Sequence, residues 1–302
     1  MTHKIAVVIC SVGRPDALTD TLPWVYRQTV PASDVLLVVT KPADLPPADV
    51  LEGYPGLQVI YSEKGLPRQR NKGLDAVQST CDAVFFIDDD YLPARDALAG
   101  IGRALDAFPE AAGFTGRLLA DGIHTGGVEL DEASQLITAY EDSAAGTAAD
   151  VPVIKRELVG LYGCNMAYRC SMIGEHRFDE RLPLYGWQED VDFAARLPGE
   201  KIKVGSLVGV HCGTRSGRET SGKLLGYSQV ANAIYLLRKK SLPAGFALKL
   251  MARNVMSNHA KLLKPEPWID RRGRARGNWI AFRDLCVGRL HPERILDLIA
   301  GK

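Results

Sequence analysis

The sequence predicts an α/β protein, with a mostly parallel open sheet of Rossmann-like kind flanked by helices and followed by a helical C-terminal extension. Three observations lead there. Short apolar runs at Ile5–Cys10, Val35–Val39, Gln58–Tyr61 and Ala83–Ile87 are bounded by polar turn residues, as buried parallel strands are. Helical patterns fall between them, and such alternation demands right-handed crossovers with helices on both faces of the sheet. From Gly222 onward the pattern turns helical and basic.

Between the first two strands, Leu18, Leu22 and Val25 align on one helix face, and Pro23 is expected to distort that helix or to mark its start. A second helix spans Pro67 to Ser79, with Pro67 suited to a first turn. A third carries Leu98, Ile101 and Leu105 after Pro93 and ends before Pro109. After Gly113–Leu119 the chain reads as loop-rich, with DGIHTGG (121–127) and EDSAAGTAAD (141–150) as exposed or mobile segments. Leu225, Ala231, Ile234 and Leu237 then mark a long helix from Gly222 to Lys240. Its closing Arg238, Lys239 and Lys240 suit the negative end of a helix dipole.

At 302 residues, 46% hydrophobic and 24% charged, the chain can bury a large core, which excludes a mostly disordered protein. Ile5–Cys10 is too short for a signal-peptide core, and no apolar run is long enough to cross a bilayer. The six cysteines include no CxxC pair, as expected of thiols in a reducing compartment. The expected location is therefore cytoplasmic. Arg238–Lys302 holds 15 Lys and Arg against 5 Asp and Glu, a net of +10 on a chain whose total is +1. Such a basic tail on an acidic body fits an anionic partner such as lipid headgroups or phosphates; a solvated helical face is the plainer reading.

VFFIDDDYLP puts Asp88, Asp89 and Asp90 at the end of a buried strand, where ligands of open α/β sheets bind. Three carboxylates there repel unless a cation joins them. Mg²⁺ or Mn²⁺ takes hard oxygen ligands and links carboxylates to phosphates. Acidic triplets also serve as solvated turns and caps, but the preceding strand favours the metal. In GLPRQRNKGL (65–74), Arg68, Arg70 and Lys72 lie at a strand-to-helix junction where backbone N–H groups can meet phosphates, although exposed helix starts often carry such charges without a ligand. YGWQEDVDFAARL (185–197) joins Trp187 to Glu189, Asp190 and Asp192. Acids in a first helical turn ordinarily answer the dipole, yet a carboxylate beside an aromatic also suits a general base for a sugar hydroxyl. His211 ends the apolar stretch Val204–Val210, as either a structural hydrogen-bonder or a metal ligand.

In this order the segments resemble the inverting family 2 glycosyltransferases of the GT-A fold, over most of residues 4–215. VVICSVGRPDALTDTLPWVYRQT resembles the family's opening strand and helix, LPRQRNKGL its Ala-Arg-Asn-x-Gly region, and FIDDDYLP its DxD segment. GCNMAYR with RFDERLPLYGWQEDVDFAARL is similar to the acceptor loop and Glu-Asp motif. The resemblance implies Asp90 as principal metal ligand with His211, Asp88 near the ribose and Asp89 in support. Asp190 is the implied catalytic base, with Glu189 orienting base or acceptor. Ser11, Arg14 and Arg70 fall on the nucleotide side, with Asn71 steadying that loop, and Gly163, Asn165, Met166 and Trp187 on the donor-sugar or acceptor side. Two features depart: Thr40 and Lys41 stand where the family carries an acid against the base, and Gln69 replaces the alanine before Arg70.

The resemblance thus implies residues 1–100 as a nucleotide-sugar-binding half, 101–221 as an acceptor-binding half and 222–302 as the basic helical extension. It implies metal-dependent (Mn²⁺ or Mg²⁺), inverting transfer from a nucleotide diphosphate-sugar to a saccharide or lipid-linked acceptor. A UDP-sugar is the first expectation, with GDP- and dTDP-sugars as alternatives. The expected setting is cell-surface polysaccharide or glycolipid assembly, peripheral at an anionic inner membrane face and without nucleic acid. Competing classes are a sugar nucleotidyltransferase, for which SVGRPDA is a poor phosphate loop, and a non-catalytic binding protein of the same fold.

Overall fold

A computed structural model describes residues 3–143, 150–213 and 222–301. The elements run β1 (Ile5–Cys10), α1 (Pro15–Tyr26), β2 (Asp34–Val39), α2 (Ala48–Glu52), β3 (Leu57–Tyr61), α3 (Leu66–Val77), β4 (Ala83–Asp88), β5 (Tyr91–Pro93), α4 (Ala97–Ala107), β6 (Ala111–Asp121), α5 (Leu130–Asp142), β7 (Val153–Lys155), β8 (Asn165–Arg169), α6 (Cys170–Ile173), α7 (Glu189–Arg196), β9 (Glu200–His211), α8 (Gly222–Lys239), α9 (Ala244–Ala260), α10 (Arg271–Cys286) and α11 (Arg294–Ile299). The described residues fall into two compact units. One lies within Met1–Lys64, Arg68–Arg177 and Leu197–Thr214, the other within Gly65–Pro67, Phe178–Arg196 and Arg215–Lys302.

The first unit holds a mixed sheet in the order β3-β2-β1-β4-β8-β6-β9-β5, with β7 also on β9. β1 to β4 pair in parallel, as the alternating pattern requires. Beyond β4 the sheet continues through antiparallel β8 and β6, then β9 parallel to β6. Val8, Leu36 and Phe86 are wholly buried because layers cover both faces. β3 differs from its expected burial: it is an edge strand, with Val59 and Tyr61 exposed. α1 runs unbroken through Pro23, burying Leu18, Leu22 and Val25 and forgoing one intrahelical bond.

The chain is expected to turn loop-rich after Gly113–Leu119, but β6 runs two residues further, to Asp121. Three register shifts interrupt it, which breaks the period-two pattern. Gly116 is needed there, since a Cβ would lie 2.1 Å from the Leu207 carbonyl oxygen. DGIHTGG contains a short 3₁₀ turn, Gly122–His124, with Gly122 buried. Residues 144–149 of EDSAAGTAAD lie outside the described residues.

In the second unit α8, α9 and α10 pack on a core of Tyr227, Val230, Ala231 and Ala281. α8 and α10 meet backbone to backbone: a Cβ on Gly226 would sit 2.0 Å from the Arg274 carbonyl oxygen, and one on Gly277 2.0 Å from that of Lys223. Buried Asn258 donates to Gln229 and Asn278 and accepts from Arg271, so these four side chains form one polar network inside the bundle. The Lys239 ammonium at the end of α8 donates to Asp179 and to both oxygens of Asp192 on α7. No helix among the described residues is long and apolar enough to cross a membrane.

Candidate active site

Strand register assembles the site. Parallel pairing sets Asp88 level with Cys10, and β6 and β9 set Asp121 level with His211. Tyr91, just after the triplet, pairs with His211 from β5. The carboxyl ends of β4, β6 and β9 thus converge, as ligand sites on open α/β sheets do. Asp88, Asp90 and His211 each offer one ligand atom, all within 4.8 Å of one another. His211 Nε2 stands 3.3 Å from Asp90 and 3.8 Å from Asp88. Two carboxylate oxygens and an imidazole nitrogen form a donor set suited to Mn²⁺ or Mg²⁺, so the residues present fit a divalent cation.

The imidazole is held from behind. His211 Nδ1 lies 2.9 Å from Asp121 Oδ1, and the Tyr162 hydroxyl donates to Asp121 Oδ2 at 2.6 Å. An acceptor on Nδ1 fixes the proton there and turns Nε2 toward the carboxylates. Burial alone would lower the His211 pKa, but Cys164, Asp121 and Asp90 outweigh it and raise it well above the ordinary imidazole value. Burial would likewise raise Asp90, yet His211 and Arg14 hold its carboxyl well below the usual range. Asp121 lay inside a segment read as loop, and only the strand register reveals it.

Asp89 is not one of these three ligands. It is 4% exposed and accepts from the Ser11 hydroxyl and Arg14, both at 2.5 Å. Burial pushes its carboxyl up to about 7 against the pull of Arg14. The second guanidinium nitrogen of Arg14 donates to Asp90 at 2.9 Å, so one arginine spans two acids of the triplet. Arg70, 2% exposed, donates to the Gly163 carbonyl at 2.9 Å and lies 3.3 Å from Asp88, while Asn71 is buried beside it in α3. Gln69 donates to the carbonyls of Ser11 and Val38, tying the ends of β1 and β2 to α3, a task alanine cannot perform. Close to Thr40 and Lys41, buried Asp44 accepts from the N–H groups of Gly13, Thr40 and Lys41. Asn165 accepts from Thr115 inside the sheet, and Asn165 and Met166 are both 0% exposed.

In the second unit, Glu189 and Asp190 begin α7, with Glu189 buried and Asp190 half-buried. Leu184, Gly186 and Gln188 all have positive φ, two of them non-glycine, so the segment ahead of these acids holds backbone strain. It is pinned by the Leu66 N–H on the Leu184 carbonyl and by Asn232 on the carbonyl of half-buried Trp187, both at 2.8 Å.

A mixed sheet flanked by helices, with carboxylates and a histidine at its strand ends placed to hold a cation, is the GT-A glycosyltransferase architecture. The sequence matches the model described as glycosyl transferase family 2 over residues 6–177, more than half of the chain, and the protein belongs to that family. No curated protein matches it. Its fold is similar to that of S. aureus TarS 1-349, at 15% identity over 87% of this chain and 76% of that one, with a TM-score of 0.57. It is also similar to mannosyltransferase PcManGT from Pyrobaculum calidifontis in complex with GDP-Man and Mn²⁺. There the identity is 15%, the coverage 100% of this chain and 80% of that one, and the TM-score 0.53. TarS 1-349 is also known in complex with UDP-GlcNAc.

Proposed function

We propose that this chain is an inverting, metal-dependent hexosyltransferase that moves a sugar from a nucleotide diphosphate-sugar to a hydroxyl of a saccharide or lipid-linked acceptor. The observation that carries the reading is the convergence of Asp88, Asp90 and His211 at the strand ends. The nucleotide-sugars held by TarS and PcManGT support a donor of this class, with UDP-sugars first and GDP- or dTDP-sugars as alternatives. Asp90 and His211, with Asp88 beside them, would hold a divalent cation, which would supply positive charge opposite the departing diphosphate.

The chain's own residues do the rest. Asp190 takes the proton of the acceptor hydroxyl as its oxygen bonds to the anomeric carbon, opposite the breaking bond to the diphosphate. Glu189 orients that base or the acceptor, and the Trp187 ring offers a sugar-stacking face. Ser11 and Arg14 hold Asp89 and Asp90 in place on the nucleotide side. Arg70 and Asn71 line the same side, and Gly163 leads into the sugar side, backed by Asn165 and Met166. Residues 1–100, 101–221 and 222–302 act as donor half, acceptor half and basic extension. The work belongs to cell-surface polysaccharide or glycolipid assembly at the cytoplasmic membrane face.

A screen of nucleotide-sugars for hydrolysis and transfer with Mn²⁺ or Mg²⁺ tests this, using Asp90→Ala and Asp190→Asn. Turnover that needs metal and is lost in both variants is expected, with a product of inverted anomeric configuration. Turnover indifferent to both changes, or a trapped glycosyl-enzyme, refutes it.

A further inference from the structure

We infer that the outer face of α10 is a docking surface for an anionic lipid bilayer. Arg272, Arg276, Trp279 and Arg283 follow one another at steps of four, three and four, which sets them in one stripe along the helix. All four are exposed, while Arg271, Ala275, Asn278 and Ala281 on the other side are buried. Trp279 is 65% exposed and meets His259 of α9 edge-on at 5.8 Å. One helical turn before His259 lies Met256, 64% exposed, and the segment after α9 carries Leu263 at 92%. A helix face that serves only solubility does not set a tryptophan among arginines. Large apolar groups amid cations are the composition of a surface that meets both headgroups and acyl chains.

The charge balance selects the partner. Lys249–Arg289 holds ten Lys and Arg against three Asp and Glu, and each acid is already engaged. Glu266 takes Arg271 and Lys261, Asp270 caps α10 through the Gly273 N–H, and Asp284 is buried. Arg253, Arg272 and Arg276 make no ion pair with any described residue. A two-fold contact with a second copy would set these arginines against their own equivalents, whereas an anionic bilayer offers a continuous complement. The inference locates the docking proposed above and requires nothing of the transfer chemistry, so vesicle binding and turnover can fail separately.

The test is sedimentation of the full chain with vesicles of phosphatidylcholine alone and of phosphatidylcholine mixed with phosphatidylglycerol. Binding is expected to the anionic vesicles only, with release as salt rises. Arg272→Gln/Arg276→Gln should lower partitioning about twenty-five-fold, each cation contributing about fivefold. Trp279→Ala should lower it while leaving the salt dependence in place. Equal melting temperatures show that the variants are folded, and the lipid and salt dependence of the unaltered chain tests the surface without any variant. Absence of binding, equal binding to neutral vesicles, or an unchanged double variant overturns the inference. So does a dimer in sedimentation velocity that the double variant abolishes.

Discussion

Removing Asp121 should weaken metal binding without removing a metal ligand. The carboxylate lies 2.9 Å from His211 Nδ1 and takes the Tyr162 hydroxyl on its other oxygen, so it sets both the tautomer and the angle of the ring. With Asp121→Ala, Nδ1 loses its acceptor, the proton can move to Nε2, and the nitrogen facing Asp90 is then blocked by hydrogen. Partners of this kind are typically worth about 10–100-fold in metal affinity, or about 1.4–2.8 kcal/mol. The alanine variant should fall near the upper end and Asp121→Asn near the lower, because an amide oxygen can still accept from Nδ1. Tyr162→Phe should be milder again. Mn²⁺ affinity is read directly from the loss of the free-ion electron paramagnetic resonance signal on titration, independently of turnover. An affinity unchanged in Asp121→Ala, with the fold intact, would refute the view that Asp121 positions the histidine.

The remaining predictions concern the second unit. Lys239→Met should cost about 3 kcal/mol in urea unfolding, because it leaves the Asp192 carboxylate, 0% exposed, with Arg196 alone; a cost below a few tenths would show the bridge to be incidental. Gly277→Ala should destabilise by about 3 kcal/mol, since its methyl meets the Lys223 backbone rather than a movable side chain; a neutral result would mean that α8 and α10 can separate freely. Burial would raise Asp179, but Lys239 and Tyr235 hold its carboxyl below the ordinary value. It therefore stabilises the fold above about pH 4 and loses that contribution as pH falls through the depressed value. Asp179→Asn should accordingly flatten the acid limb of the stability profile.

The parts of the fold legible in the sequence are those where burial is continuous or periodic. β1, β2 and β4 are apolar runs, and α1 and α4 carry leucines on one face. β8 was not legible because NMAYR opens on a polar residue, whose buried side-chain oxygen accepts from Thr115 and from the Gly116 N–H of β6. The DxD triplet and His211 were readable as an acid cluster and a strand-end histidine. Their conjunction with Asp121 depends on register across β6 and β9, which local spacing does not encode. Arg14 was placed on the nucleotide side by resemblance, while its hold on Asp89 and Asp90 is a three-dimensional fact. α9 and α10 were legible as part of a basic helical extension but not as separate helices, because the inward positions of α10 include Ala, Gly and Asn rather than leucine.

The close crossing of α8 and α10 separates two kinds of constraint on one short stretch. Gly222 and Gly226 on α8, like Gly273 and Gly277 on α10, are four residues apart, and the segment between the second pair is Arg-Ala-Arg. Fit is a property of place: no other residue can stand in for a glycine where two backbones touch. Charge is a property of the sum, and an arginine lost at one exposed position can be regained at the next. Over evolutionary time the cations of this helix are therefore free to wander while Gly277, which meets the Lys223 backbone, is not. Relatives should be traced through the extension by the spacing of their smallest residues, even where the rest of the helix no longer aligns.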